Sequence, residues 1–101
     1  MSGFVLSPEA EEDIWNIWQY LAQENGIAVA DRIETELFNK FETLARSPGI
    51  GHRRADLTDH TVFFLAVYQY LIVYRKSVPL EIAAVIHGRR DVERILKQRP
   101  L

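Results

Sequence analysis

The hydrophobic period of the chain changes once, near residue 60, and that change restricts the fold more than any other feature. Before it, apolar residues recur at spacings of three and four: Ala10, Ile14, Ile17, Trp18 and Leu21, then Ala30, Ile33, Leu37, Phe41 and Leu44. Each set marks one buried stripe on an amphipathic helix. After it come three runs rich in branched and aromatic residues, "TVFFLAV" (61–67), "YLIVYR" (70–75) and "LEIAAVIH" (80–87). Links of only a few residues make them consecutive antiparallel strands.

Local signals place the boundaries. "GFVLS" is a short apolar run ending in Ser7-Pro8, a pairing of helix N-cap and first helical residue. Glu9, Glu11 and Glu12 then sit where the positive end of the helix dipole stabilises carboxylates. Asn25-Gly26 stops the first helix, and the second runs on to residue 45 across a very short turn, an antiparallel hairpin. Residues 46–58, "RSPGIGHRRADLT", show neither period and read as a basic loop. Asp91 caps a last short helix through about Lys97, with Val92, Ile95 and Leu96 as its apolar side.

At 101 residues and 48% apolar content, the chain can bury one core, so residues 1–101 form a single domain. With no cysteine there is no disulfide framework and no thiolate zinc site, which suits a reducing cytoplasm. The start, "MSGFVLSPEAEED", turns acidic where a signal peptide would turn apolar, and no apolar run nears the roughly 20 residues of a membrane span. The expectation is a soluble, unprocessed, cytoplasmic protein.

Alternation in the strands is weak. Val62, Phe64 and Ala66 oppose Phe63, Leu65 and Val67; Tyr70, Ile72 and Tyr74 oppose Leu71 and Val73; Ile82, Ala84 and Ile86 oppose Ala83 and Val85. Both faces of the sheet are therefore apolar. The helical hairpin covers one, and a partner chain is expected to cover the other; the alternative is that the basic loop and the C-terminal tail fold back over it. Charge is also divided. Residues 1–45 hold nine acids against two bases, a net of −7, and the rest hold ten bases against five acids, a net of +5, which together make the −2 of the whole chain. Such a molecule can meet an anionic partner with one side only.

Common catalytic templates are missing. Ser2, Ser7, Ser47 and Ser77 lie in turns and caps without a nucleophile-elbow pattern, and no phosphate-binding glycine loop is present. His52 and His60 have neither cysteine nor paired-histidine spacing, so no metal and no cofactor is expected. Glu9, Glu11, Glu12 and Asp13 read as a solvated helix start, and Trp15 and Trp18 as packing of the hairpin.

"LSPEAEEDIWNIWQYLA", "FETLARSPGIGHRRADL", "YQYLIVYR" and "IHGRRDVERIL", in this order and spacing, resemble the RelE/ParE superfamily of bacterial toxins, and most closely its ParE branch, whose members are often called plasmid stabilisation proteins. The resemblance spans nearly the whole chain. It implies a RelE-like two-layer α+β fold, β-α-α-β-β-β-α, with a small antiparallel sheet of order 1-4-3-2 and the helical hairpin on one face. It further implies a toxin of a type II toxin-antitoxin module, held in a hetero-oligomer by a cognate ParD-like antitoxin that supplies the missing apolar cover. For the ParE branch the implied target is DNA gyrase, inhibited by binding; for the RelE branch the implied activity is ribosome-dependent cleavage of messenger RNA.

The two branches differ in the chemistry they need. Cleavage requires cations on the scissile phosphate and groups that move protons. Arg90 falls where the ribonuclease branch has a catalytic arginine, but Leu71 and Leu96 stand where several of its members carry a phosphate-binding arginine and a tyrosine or histidine. A leucine does neither job. His87 remains a candidate base beside Arg90, or else a strand-end histidine completing a hydrogen bond. Arg53, Arg54, Arg75, Arg89, Arg90 and Arg94, with Lys97 and Arg99, are expected to gather at one end of the sheet as a docking surface for carboxylates or phosphates. The readings are thus a binding toxin, a ribonuclease using Arg90 and His87, or a toxin fold that has lost toxicity and serves as an interaction module.

Overall fold

A computed structural model describes residues 3–101; Met1 and Ser2, with the parts of the expectations above that fall on them, lie outside the described residues. The elements are β1 (Phe4–Leu6), α1 (Pro8–Asn25), α2 (Ile27–Arg46), β2 (Phe63–Val67), β3 (Tyr70–Arg75), β4 (Leu80–His87) and α3 (Val92–Lys97), with one 3-10 turn at Pro48–Ile50. This is the α+β order read from the sequence.

Caps form where the residue types place them. The Ser7 hydroxyl accepts the Ala10 N–H at 3.1 Å and donates to the Ala83 carbonyl at 3.2 Å, so one side chain both starts α1 and pins it to β4. Gly26 ends α1 and begins α2 at φ 95°, ψ 159°, a conformation that essentially requires glycine. Its N–H donates to Ala22 and its carbonyl accepts from Ala30, which closes the hairpin without a spare residue. The Asp91 carboxylate caps α3 through the Arg94 N–H.

The sheet order is β1-β4-β3-β2. β2, β3 and β4 are antiparallel as expected, whereas β1 pairs parallel with β4 (Phe4 opposite Leu80, Leu6 opposite Ile82), so the four-stranded sheet is mixed rather than wholly antiparallel. The hairpin between them explains this: after two antiparallel helices and a meander, the chain returns beside β1 in the same direction.

A β-bulge corrects the expected facing of β4. Val73 pairs with Ala84 but Tyr74 pairs with Ile82, leaving Ala83 as the extra residue. A bulge reverses the side-chain alternation beyond it. Ile82 and Val85 consequently share the helix-facing core with Ile72, Tyr74, Leu37 and Phe41, while Ala84 and Ile86 turn to the opposite face with Val62, Phe64 and Val73.

That opposite face is not open. Val92 and Leu96 of α3 are buried on it, and Leu57 from the loop, Ile95 of α3 and Leu101 from the tail pack around them. The expectation of a partner chain as the necessary cover is thus corrected, and the fold-back alternative holds. Each large apolar side chain so buried contributes roughly 1.5–3 kcal/mol, which explains how six residues of α3 suffice once loop and tail join them.

The loop is more ordered than its composition indicates. His52 forms a two-bond backbone bridge with Phe64, His52 N–H to Phe64 O at 2.9 Å and the reverse at 2.8 Å, extending the sheet past β2. Beneath it the buried Tyr74 hydroxyl donates to Pro48 O at 2.6 Å and accepts the Gly51 N–H at 3.0 Å. Gly51 is required there, because a Cβ would run into that hydroxyl and the Phe64 carbonyl. Burial raises the Tyr74 pKa above the ordinary tyrosine value.

Candidate functional site at the end of β4

β4 ends at His87, and Gly88, Arg89 and Arg90 turn the chain toward α3. The β2–β3 turn lies alongside. Its Tyr68 has φ 55°, a left-handed conformation costing an aromatic residue roughly 1–2 kcal/mol. The turn sets Gln69 against β4: the Gln69 carbonyl accepts the Gly88 N–H at 2.7 Å, and its side-chain oxygen lies 3.1 Å from His87 Nε2. The Arg89 N–H donates to His87 Nδ1 at 3.0 Å. With the Arg89 N–H donated to it, the Nδ1 lone pair is occupied, and Nε2 faces the Gln69 side-chain oxygen. The His87 ring also meets Tyr70 edge to face, 5.4 Å between centroids. It is a strand-end histidine held at both nitrogens.

α1 forms the other wall. Ile17, Leu21, Tyr70 and Val85 give an apolar floor, and Asp13, Asn16, Tyr20, Asn25, Gln69, His87, Arg89 and Arg90 a polar rim, around a groove of about 530 Å³. Sequence reasoning missed Asn16, Tyr20, Asn25 and Gln69; the helical spacing of Asn16 and Tyr20, on the polar flank of Ile17 and Leu21, was the available signal. Arg89 and Arg90 are exposed. Among the described residues neither guanidinium has a hydrogen bond or an ion pair.

The other expected arginines do not converge there. Arg75 pairs with Glu81 and also donates to the Leu101 carbonyl, at the far end of β3. Because Tyr70 is the residue opposite His87, Arg75 lies five strand residues away, about 17 Å. Arg53 and Arg54 follow His52 beyond β2, about 14 Å across the sheet from β4 at the usual strand spacing. Arg54 is bound to Asp56 by two hydrogen bonds, 2.9 and 2.8 Å, which raise the Arg54 pKa and lower that of Asp56. Arg94 is exposed one turn into α3, and Lys97 stands 3.9 Å from Glu93.

Arg99 is the furthest from expectation. It reaches the Asp13 carboxylate with two bonds of 3.0 and 2.6 Å, the side chains only 16% and 11% exposed, and the same carboxylate accepts the Val85 N–H at 2.9 Å. Donating to the Asp13 carboxylate raises the Arg99 pKa against the opposing effect of burial. Asp13 is therefore no solvated helix-start acid. Leu71 is partly buried and Leu96 1% exposed in the second core, so neither position offers a group to a substrate.

The site thus lies at one end of the sheet of a two-layer α+β domain, with His87 engaged at both ring nitrogens and, among the described residues, the Arg89 and Arg90 guanidiniums unpaired. Residues 4–92 match the family described as the ParE toxin of the type II toxin-antitoxin system parDE, and the chain belongs to that family. Toxin ParE1 of Caulobacter vibrioides is 31% identical, the alignment covering 86% of this chain and 90% of that protein. A solved structure described as the chromosomal ParDE toxin-antitoxin system from P. aeruginosa superposes with a TM-score of 0.70 at 14% identity, covering 86% of this chain and 96% of that one. The family match includes Arg89 and Arg90 and stops before Arg94 and Arg99.

Proposed function

We propose that this ParE-type toxin acts by gripping its target without cleaving it, that the target is DNA gyrase, and that a cognate ParD-like antitoxin neutralises it. The carrying observation is the engagement of both His87 ring nitrogens beside two unpaired guanidiniums. Attack by a ribose 2′-hydroxyl needs a base with a free lone pair in reach; here Nδ1 is spent on the Arg89 N–H. Leucines at 71 and 96 leave those two positions without a cation or a proton carrier. What remains is cationic and planar, suited to bidentate contact with carboxylate or phosphate. The choice of gyrase rests on the resemblance to the ParE branch, and the antitoxin on the ParDE context of the relatives.

Purified chain added to a gyrase supercoiling reaction, and in parallel to translating ribosomes, tests this reading. Inhibition of supercoiling with intact messenger RNA, retained in His87→Ala, is the expected result. Transcripts cut at defined codon positions, with cutting lost in His87→Ala, would reverse it in favour of the ribonuclease. Inertness in both assays would favour the interaction module.

A further inference from the structure

The helical hairpin carries an aromatic surface that the fold leaves uncovered. Trp15 and Trp18 stack at 5.9 Å between centroids, with ring planes 2° apart, and Trp15 is 56% exposed. Trp18 is held in place by its indole N–H, which donates to Asp31 of α2 at 2.8 Å. Scattered single exposed apolar residues are ordinary, but two parallel indoles form one continuous apolar plate. Tryptophan in such a position is enriched at protein interfaces.

The plate is rimmed by acid. Glu11 and Glu12 precede Trp15 by four and three residues, the spacings that bring side chains together on a helix. Asp31 is already at Trp18, and Glu34, three residues on, shares its side of α2. Only two bases occur in residues 1–45, and both stand on the other flank: Arg32 acts electrostatically on Tyr68, and Lys40 lines a hollow with Glu36 and Tyr68. Arg99 comes near Glu12, but its guanidinium is bound to Asp13. The face is therefore aromatic and anionic together, and among the described residues no cation is paired with its carboxylates.

We propose that the Trp15–Trp18 plate with its carboxylate rim is a second docking surface, and that its occupant is an arginine-bearing segment of a partner polypeptide. Guanidinium stacks flat on indole and takes hydrogen bonds to carboxylates at its edge, which a plain apolar partner would leave unpaired. The proposal stands apart from the target reading, since it uses none of the residues around His87.

Both tryptophans of the chain are in the plate, so its intrinsic fluorescence reports on the site directly. A soluble peptide of repeating Arg-Ala is titrated into the full chain, with the Lys-Ala peptide as comparison. Saturable quenching is expected, with the arginine peptide tighter and Trp15→Ala weakening it about fivefold or more. That variant is read by calorimetry, and its circular dichroism checks that the exposed substitution leaves the fold intact. Glu11→Gln with Glu12→Gln weakens binding too, whereas Glu24→Gln, at the far end of α1, does not. Equal loss from Glu24→Gln would show attraction to bulk negative charge only and overturn the proposal. So would binding that ignores Trp15→Ala, or sedimentation showing that the chain self-associates through Trp15, which would make a second copy the occupant.

Discussion

Arginines at the two ends of the sheet have opposite roles. At the end where β1 enters, Arg75 is committed to Glu81 and Leu101, while Arg99 of the tail reaches along the sheet to the partly buried Asp13; both hold the tail in place. At the other end Arg89 and Arg90 form no ion pair with a carboxylate among the described residues. The residue type is the same, and proximity of an acid decides the role. A paired, desolvated guanidinium is structure, because removing it strands its partner; an unpaired exposed one is available to another molecule.

Four experiments can break or sharpen that contrast. Arg99→Ala should have the largest effect on stability, about 2–4 kcal/mol, by leaving the partly buried Asp13 with only the Val85 N–H. Chemical denaturation measures it, and a loss no greater than that of a surface charge would show that the latch is ornamental. Replacing Arg89 and Arg90 together with alanine should weaken inhibition of the target by about a hundredfold while the denaturation midpoint stays in place. A folded double variant that is fully toxic would remove this end of β4 from the mechanism.

Tyr74→Phe, which tests whether the loop is locked as the tail is, should cost about 1–2 kcal/mol through the lost bonds to Pro48 and Gly51. It also carries a pH signature. Because the folded-state pKa of Tyr74 is raised, the native chain holds this proton more tightly than the unfolded chain; its contribution is intact below the ordinary tyrosine value near 10 and is lost as pH rises from there through the folded value. The alkaline limb of a stability profile should accordingly be shallower in the variant. Asp56→Ala should have the smallest effect, with no measurable change in melting temperature, since both members of its pair are exposed. A clear drop there would mean that the Arg53-Arg54 loop is fastened like the tail.

Elements were more legible than the surface they create. Ser7-Pro8, Asn25-Gly26 and Asp91 marked helix ends correctly, because capping depends on neighbours a few residues away. The facing of β4 was legible only as far as Ala83, since the bulge depends on registration against β3. Trp15 and Trp18 carried a helical spacing that fits burial; Trp18 does tie α1 to α2, yet Trp15 is turned outward. Of the expected arginine cluster, only the sequence neighbours, Arg89 with Arg90 and Arg53 with Arg54, were certain to stay together, and no local pattern decided whether the two pairs would meet.

The sequence alone determined the α+β class, the helical hairpin, the meander and the presence of cations just beyond β4, since each depends on contacts between residues close along the chain. Tertiary structure decided that loop, α3 and tail would close the second face, that Asp13 would meet Arg99 across 86 residues, and hence which cations were left without a partner. Charge pairing over that separation is set by how layers pack and where the bulge turns β4, and no local pattern encodes it.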